Sequence, residues 1–277
     1  MNHKKSVLSR LVAAPYYLWA ILFIIAPLVF VIIYAFTDSN NNFTTENFTK
    51  LFGDGSMKVF FLSLAFAFIA TLVCLVIAYP LAYIITKAPK KRQNSLLMLF
   101  MLPMWMNLLI RTYSWMNILE RNGIINNVLA GFGIEPLKMI GTPGAVILGM
   151  VYNYLPYMIL PIYTVMSKLD ITLLEAADDL GANAFQRLRT LVIPLSMPGV
   201  ISGITMVFVP SVSTFYISQK LGGGKIMLIG DAIERQIQQQ YNYNLGASIS
   251  LVLMVMILIS MAIMNRFASD DAERLVV

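Results

Sequence analysis

The sequence predicts an all-α polytopic membrane protein with six transmembrane helices, and three observations carry that prediction. Apolar residues make up 58% of the 277 and charged residues only 12%, where soluble domains average roughly a quarter charged. Apolar stretches of membrane-spanning length recur six times, and the charges collect in the short segments between them. None of the six stretches contains Asp or Glu.

Each element follows in order. Residues 1–14 carry His3, Lys4, Lys5 and Arg10 ahead of the apolar run Pro15 to Phe36. At about 1.5 Å per residue this run crosses a hydrocarbon core of roughly 30 Å, and it is longer than a signal-peptide core, so a retained first span is expected. Thr37 to Lys58 is rich in Asn, Thr and Gly, holds Asp38, Glu46 and Asp54, and reads as a loop. The second span is expected from about 59 to 86, kinked near Pro80. Lys87, Lys90, Lys91 and Arg92 follow within six residues, a cluster that marks the cytoplasmic side.

The third span is predicted over about 95–115 and the fourth over about 143–165, joined by a loop that includes AGFGIEP. The fifth, about 195–217, contains Pro198 and Pro210, which neighbouring helices tolerate in a membrane. An outer loop covers 218–243, and the sixth span about 245–264. Six spans put both termini on one side. With the termini, 87–92 and 168–189 inside, twelve Lys or Arg lie inside and seven in outer loops, leaving Arg111 near the membrane. The positive side is therefore the cytoplasmic side.

Between spans four and five lies a polar stretch, LLEAADDLGANAFQRLRTLVIP, Leu173 to Pro194. Thr172 with Glu175 three residues on has the capping-box pattern, so a short helix is predicted from Leu173. Gly181 ends it, because glycine enters the left-handed C-cap conformation without a Cβ penalty. Asn183 with Gln186 repeats the start signal, and Pro194, lacking an amide hydrogen, is expected to close a second short helix. Leu173, Ala176, Ala177 and Leu180 share one stripe of the first helix, flanked by Glu175, Asp178 and Asp179. The stripe packs either on the protein's own bundle, as an ordinary connector, or on a partner.

The order Glu175, Ala176, Ala177, then Gly181 and the ending Leu191, Ile193, Pro194 resembles the EAA loop of ABC importer permeases. That resemblance implies the type I (MetI-like) permease architecture. It further implies that these seven residues form coupling helices seated in a groove of a cytoplasmic ATPase. LPMWMNLLIRTYSW, GMVYNYLPYMILPIYTVMSKLD and TFYISQKLGGGKIMLIGDAIERQI are similar to permeases of bacterial spermidine/putrescine importers. The expected domains are then 1–58 (amino-terminal cytoplasmic tail, first helix, outer loop), 59–267 (permease core with five helices and coupling loop 168–194) and 268–277 (cytoplasmic tail).

The implied partners are a second related permease, two copies of a cytoplasmic ATPase and an external polyamine-binding protein. The implied location is the inner, plasma membrane of a bacterium. ATP and Mg would belong to the ATPase, with no cofactor on this chain, since a GxxxxGK[ST] phosphate loop is missing from the sequence.

With no carboxylate in the spans, a polyamine path would be lined by Tyr faces, hydroxyls and backbone carbonyls, using cation–π attractions of about 0.5–2 kcal/mol each. The candidate liners are Tyr152, Tyr154, Tyr157, Phe215 and Tyr216; packing or a place in the interfacial aromatic belt is the other reading. Asp231 and Glu234 in the outer loop either dock the binding protein, meet the cation, or form a solvated helix face. Arg111 is expected to snorkel outward or bind helix-end carbonyls or Glu120, a gating role being the lesser alternative.

Other classes fare worse. The basic residues are spread over loops, which favours topology over nucleic acid. One histidine and one cysteine, His3 and Cys74, leave little scope for metal clusters, disulfides or His-based catalysis. A proton- or sodium-coupled transporter would normally use intramembrane carboxylates, and a membrane enzyme would need paired acids or a nucleophile and base. A permease for another solute, an anion or a sugar, stays open.

Overall fold

The computed structural model describes residues 15–53 and 56–274. The amino-terminal tail with His3, Lys4, Lys5 and Arg10, the loop residue Asp54 and the last three residues lie outside the described residues. Among the described residues the regular structure is helical, with a single antiparallel bridge between Thr37 and Phe43. Contacts gather the chain into two compact units, residues 1–57 with 232–255, and residues 58–231 with 256–277.

In the first unit, α1 (Pro15–Ala35) is apolar and exposed along nearly its whole length, with Phe23 66% and Phe30 59% exposed. Such a helix is at home only against lipid or another protein. Its carboxyl end is sewn down: the Asn47 side-chain amide donates to the carbonyls of Ala35 and Thr37, Asn244 to those of Tyr34 and Thr37, and Ser248 to that of Ala35. These bonds satisfy carbonyls that a helix end leaves without intrahelical partners. The stretch read from sequence as a plain loop contains a helix, α2 (Glu46–Gly53), whose first amide is capped by Thr44. Asp38 accepts the amides of Asn40 and Asn42, and these bonds hold its carboxyl below the usual 3.8.

The second unit is built on α3 (Ser56–Lys87), α7 (Pro143–Met166) and α9 (Ala184–Val212). Their buried faces make one continuous core, including Phe66, Cys74, Met150, Met158, Ile162 and Val207. The closest pairing is α7 against α9: a Cβ added at Gly199 would meet the Pro161 carbonyl oxygen at 2.8 Å, so only glycine permits this approach. Between the helices, the Tyr79 and Ser196 hydroxyls bond at 2.9 Å. Cys74 is fully buried, its thiol 3.8 Å from the Val151 carbonyl oxygen.

The third span is broken where the sequence reading drew it continuous. α4 (Lys90–Trp105) is followed by α5 (Leu108–Leu119), and the segment Leu108–Gly131 that α5 opens is bent 92° from α4. Met106 is extended, and the Asn107 side chain caps the new helix by accepting the Leu109 amide at 2.8 Å. Pro103 in the last turn of α4 prepares the stop, and a good N-cap residue immediately after it makes a fresh start cheaper than a kink. Beyond α5, Asn126 on α6 (Ile124–Gly131) bonds the Glu120 and Leu137 carbonyls and the Leu137 amide, folding residues 120–137 around one buried side chain. The sixth span opens α12 (Tyr243–Arg274). Among the described residues five helices are long and apolar enough to cross a membrane, and the bent pair, taken as one span, makes a sixth.

Candidate functional site

The polar stretch between α7 and α9 is a tight helical corner. α8 (Ile171–Asp179) starts two residues before the position expected from Thr172 and Glu175. Its cap is Asp170, which accepts the Thr172 amide at 3.0 Å and whose carboxyl is thereby held below its usual 3.8. An ionised carboxylate is a stronger acceptor for the helix start than the Thr hydroxyl. At the other end the Gly181 amide bonds the Asp178 carbonyl and the Ala182 amide that of Ala177, with Gly181 at φ 79°. Gly181 thus ends the helix in the left-handed conformation expected from the sequence, and the two bonds close the turn. Asn183 and Gln186 form the reciprocal capping box at 2.8 and 2.9 Å.

Pro194 does not close a second short helix. The chain runs unbroken from Ala184 to Val212, through a wide π turn at Leu188–Val192 in which the Ile193 amide reaches back to the Leu188 carbonyl. A π turn placed just before a proline takes up the register that its missing amide would otherwise spoil. The second arm of the corner is therefore the first part of span five itself. Arg187 on this arm is ion-paired with Asp178 on α8, which locks the two arms together.

One face of the corner is anchored and the other is bare. Leu169, Leu174 and Leu188 pack against the core. Leu173 is 47% exposed, Phe185 68% and Leu180 89%, and Glu175 and Ala176 are exposed as well. The predicted stripe of Leu173, Ala176, Ala177 and Leu180 thus does not rest on the chain's own bundle; only Ala177 is half-buried. Leu191 and Pro194 are half-buried and Ile193 is 37% exposed. Close to the corner, Tyr163 on α7 donates to the Gln93 side chain at 2.8 Å, and Gln93 donates to the Thr86 and Ala88 carbonyls. One glutamine thus ties α3, α4 and the end of α7 together.

The candidate liners have the following surroundings. Tyr152 meets Trp115 edge-on at 5.3 Å between ring centroids, Tyr154 donates to the Pro210 carbonyl at 3.3 Å, and Tyr157 is 41% exposed. On α7, Tyr152 and Tyr154, two apart, point to nearly opposite sides, whereas Tyr154 and Tyr157, three apart, share one face. Span five ends at Val212, short of the predicted 217. Phe215, 42% exposed, is the cap of a separate helix, α10 (Tyr216–Leu221), which packs on α5 and α7. Tyr216 stands edge-on to Tyr113 at 6.3 Å, with the Lys220 ammonium 5.2 Å from the Tyr113 ring centroid and 5.6 Å from that of Tyr216. Tyr113 and Lys220 were missed from sequence, because their meeting depends on the fold of over a hundred intervening residues.

Arg111 is half-buried, and neither its Nε nor its Nη1 has a hydrogen-bond partner. The pairing with Glu120 weighed from sequence is not formed. Asp231 corrects the solvated-face reading: it is 7% exposed and its Oδ2 accepts the Leu228 amide at 2.8 Å, capping the helix α11 (Ile229–Glu234). The Ile229 amide beside it bonds the Ser63 hydroxyl at 2.7 Å. Glu234 is half-buried. A cleft of about 600 Å³ is lined by Glu120, Arg121, Lys138 and Lys225 among others. Contact with Lys225 and its charge push the Lys138 amine below its ordinary 10.5. Among the described residues no group of three or more His, Cys, Asp or Glu gathers to hold a metal.

The comparisons agree with this architecture. Curated relatives include proteins named spermidine/putrescine transport system permease protein PotB. The Haemophilus influenzae protein is 41% identical over 236 residues, covering 82% of each chain. The Escherichia coli K12 protein is 40% identical over 226 residues, 79% of this chain and 82% of its own. Among solved structures, a chain of a bacterial ABC transporter involved in import of the acidic polysaccharide alginate superposes with a TM-score of 0.83 at 16% identity, covering 95% of both chains. The MetNI methionine ABC transporter in an inward-facing form superposes with a TM-score of 0.58 over 78% of this chain and 95% of that one. At such identities the two structures speak for the fold alone. Residues 75–269 match the family described as the binding-protein-dependent transport system inner membrane component, and this chain belongs to that family.

Proposed function

We propose that this chain is a membrane-spanning permease subunit of an ATP-driven importer of polyamines, spermidine or putrescine. The observation that carries the reading is identity of about 40% across about four fifths of the chain to permeases named for those solutes. Fold likeness could not carry it, since the same architecture serves an importer of an acidic polysaccharide. The site residues fit a translocation subunit with no fuel chemistry of its own.

In this reading the 168–194 corner lies in the cytoplasm with both termini, in the inner membrane of a bacterium. Its bare Leu173, Leu180 and Phe185 seat in a groove of one of two ATPase subunits, which hold ATP and Mg. Because the second arm of the corner is continuous with span five, a displacement of the seated corner is delivered directly to the membrane core beside α7. ATP binding biases the two states only by its different affinity for them. A second, related permease completes the path, and an external binding protein delivers the solute.

Purification of the assembly in detergent without crosslinking tests this reading. The expected result is an ATPase and a second permease in the eluate, and ATP hydrolysis that rises when polyamine-loaded binding protein is added. Hydrolysis indifferent to polyamine, in an assembly otherwise complete, would reject the substrate. One observation favours an anionic solute instead: the cleft with Arg121, Lys138 and Lys225. Binding of an anion and not a polyamine by the external receptor would select that reading.

A further inference from the structure

We propose that Tyr113 and Tyr216 form a seat for a primary ammonium group, and that Lys220 occupies the seat as a tethered competitor which an incoming polyammonium solute displaces. The inference rests on the polyamine reading for its ligand, but its geometry belongs to this chain. The two rings meet at an interplanar angle of 80° with centroids 6.3 Å apart. The Lys220 nitrogen lies within 6 Å of both centroids, inside the range over which a ring's negative face attracts a cation. Among the described residues no carboxylate forms an ion pair with Lys220; the two rings and the Tyr113 hydroxyl are what face its charge.

The arrangement is a product of local helical structure. Lys220 follows Tyr216 by one turn on α10, which places the two side chains on one face. Tyr113 comes from α5, against which α10 packs. Tyr113 is 42% exposed and Lys220 half-buried, so the seat lies at the surface of this chain and its occupant can leave without unfolding anything. A lysine side chain ends in a methylene-linked primary ammonium, and so does a polyamine. What the rings accept from Lys220 they accept from the solute, because the interacting group is the same.

Tethering sets the consequence. A covalently attached ligand competes at an effective concentration on the order of millimolar. Dilute free polyamine therefore leaves the seat to Lys220, whereas solute released at the mouth by a docked carrier is concentrated enough to replace it. Return of Lys220 then expels the ammonium it had yielded to. The apparent affinity for an external ammonium is reduced by the fraction of time the seat is filled.

The test is equilibrium binding of radiolabelled putrescine to the assembled transporter in lipid nanodiscs, without ATP or binding protein, beside an uptake assay of the wild type. Lys220→Met, which keeps the stem and removes the charge, is expected to bind putrescine about tenfold more tightly than wild type. Lys220→Arg, which keeps a cation, is expected to give no gain. Adding Tyr113→Leu and Tyr216→Leu to Lys220→Met is expected to erase the gain. Because the prediction is tighter binding, a misfolded variant cannot imitate it, and Lys220→Gln repeats the measurement should the Met variant fail to assemble. Binding no tighter without Lys220, or a gain that survives loss of both rings, overturns the proposal. Wild-type putrescine uptake without a gain in the variant rejects the seat and keeps the polyamine reading. A gain in the variant without wild-type uptake keeps the seat and rejects that reading.

Discussion

The corner at 168–194 and the segment at 214–231 use similar materials, short helices punctuated by glycine, to opposite ends. In the corner, large apolar side chains stay in the open, Leu180 at 89% and Phe185 at 68% exposure. In the segment, Ile217, Leu221, Leu228 and Ile229 are almost wholly buried, Asp231 caps its own helix, and a lysine lies against two of the chain's own rings. The first region leaves apolar surface that this chain does not cover. The second is completed by the chain itself. The contrast teaches that what a region lacks is a better guide to its partner than what it contains.

The largest expected effect breaks the corner. Gly181→Pro removes the amide that bonds Asp178 and forbids φ 79°. Uptake should fall by at least about a hundredfold, the scale expected when a misplaced element costs a catalytic or coupling geometry, with ATP hydrolysis unlinked from solute and membrane insertion normal. Retained transport would remove the corner from the coupling path.

Next in size, Leu180→Asp or Phe185→Asp should strip the ATPase from the purified assembly while leaving the isolated subunit's melting temperature within about 2 °C, since exposed sites contribute little to stability. A drop in stability with the ATPase still attached would mean that the corner packs on its own bundle after all.

In the segment the same kind of charge change should act the other way round. Asp231→Ala strands the buried Leu228 amide, a loss of about 1–3 kcal/mol, visible as a lower melting temperature with ATPase copurification intact. An unchanged melting temperature would deny the segment its self-sufficiency. The smallest effect is on pH. The Asp170 carboxyl has a folded value below its usual 3.8, so the helix stability it contributes is complete above that usual value and disappears as pH falls through the folded one. Asp170→Asn should flatten that acid limb in circular dichroism of the 168–194 helices; a limb of the same depth would place the titrating group elsewhere.

Much of this was legible in the sequence, for physical reasons. Spanning runs are recognised by length and apolarity, and the Asn183–Gln186 box and the Gly181 ending are local, so neighbours in sequence decide them. The Asp170 start was missed because two acceptors lay within two residues and the charged one prevailed. Continuation past Pro194 was hidden because a π turn leaves no compositional mark. The break at Met106–Asn107 had its signals, Pro103 and Asn107, but an apolar run without interruption outweighed them. Burial of Asp231 and the gathering of Tyr113 with Lys220 belong to tertiary structure, which no window of sequence contains.

The chain's one thiol, at Cys74, is sealed inside the core where α3 meets α7. A water-soluble maleimide therefore meets no reactive sulfur on the native protein, and no substitution is needed to silence a background. A single cysteine introduced on the corner, or beside Lys220, would carry a spectroscopic probe alone, so that motions of the two regions can be followed separately in an otherwise native molecule.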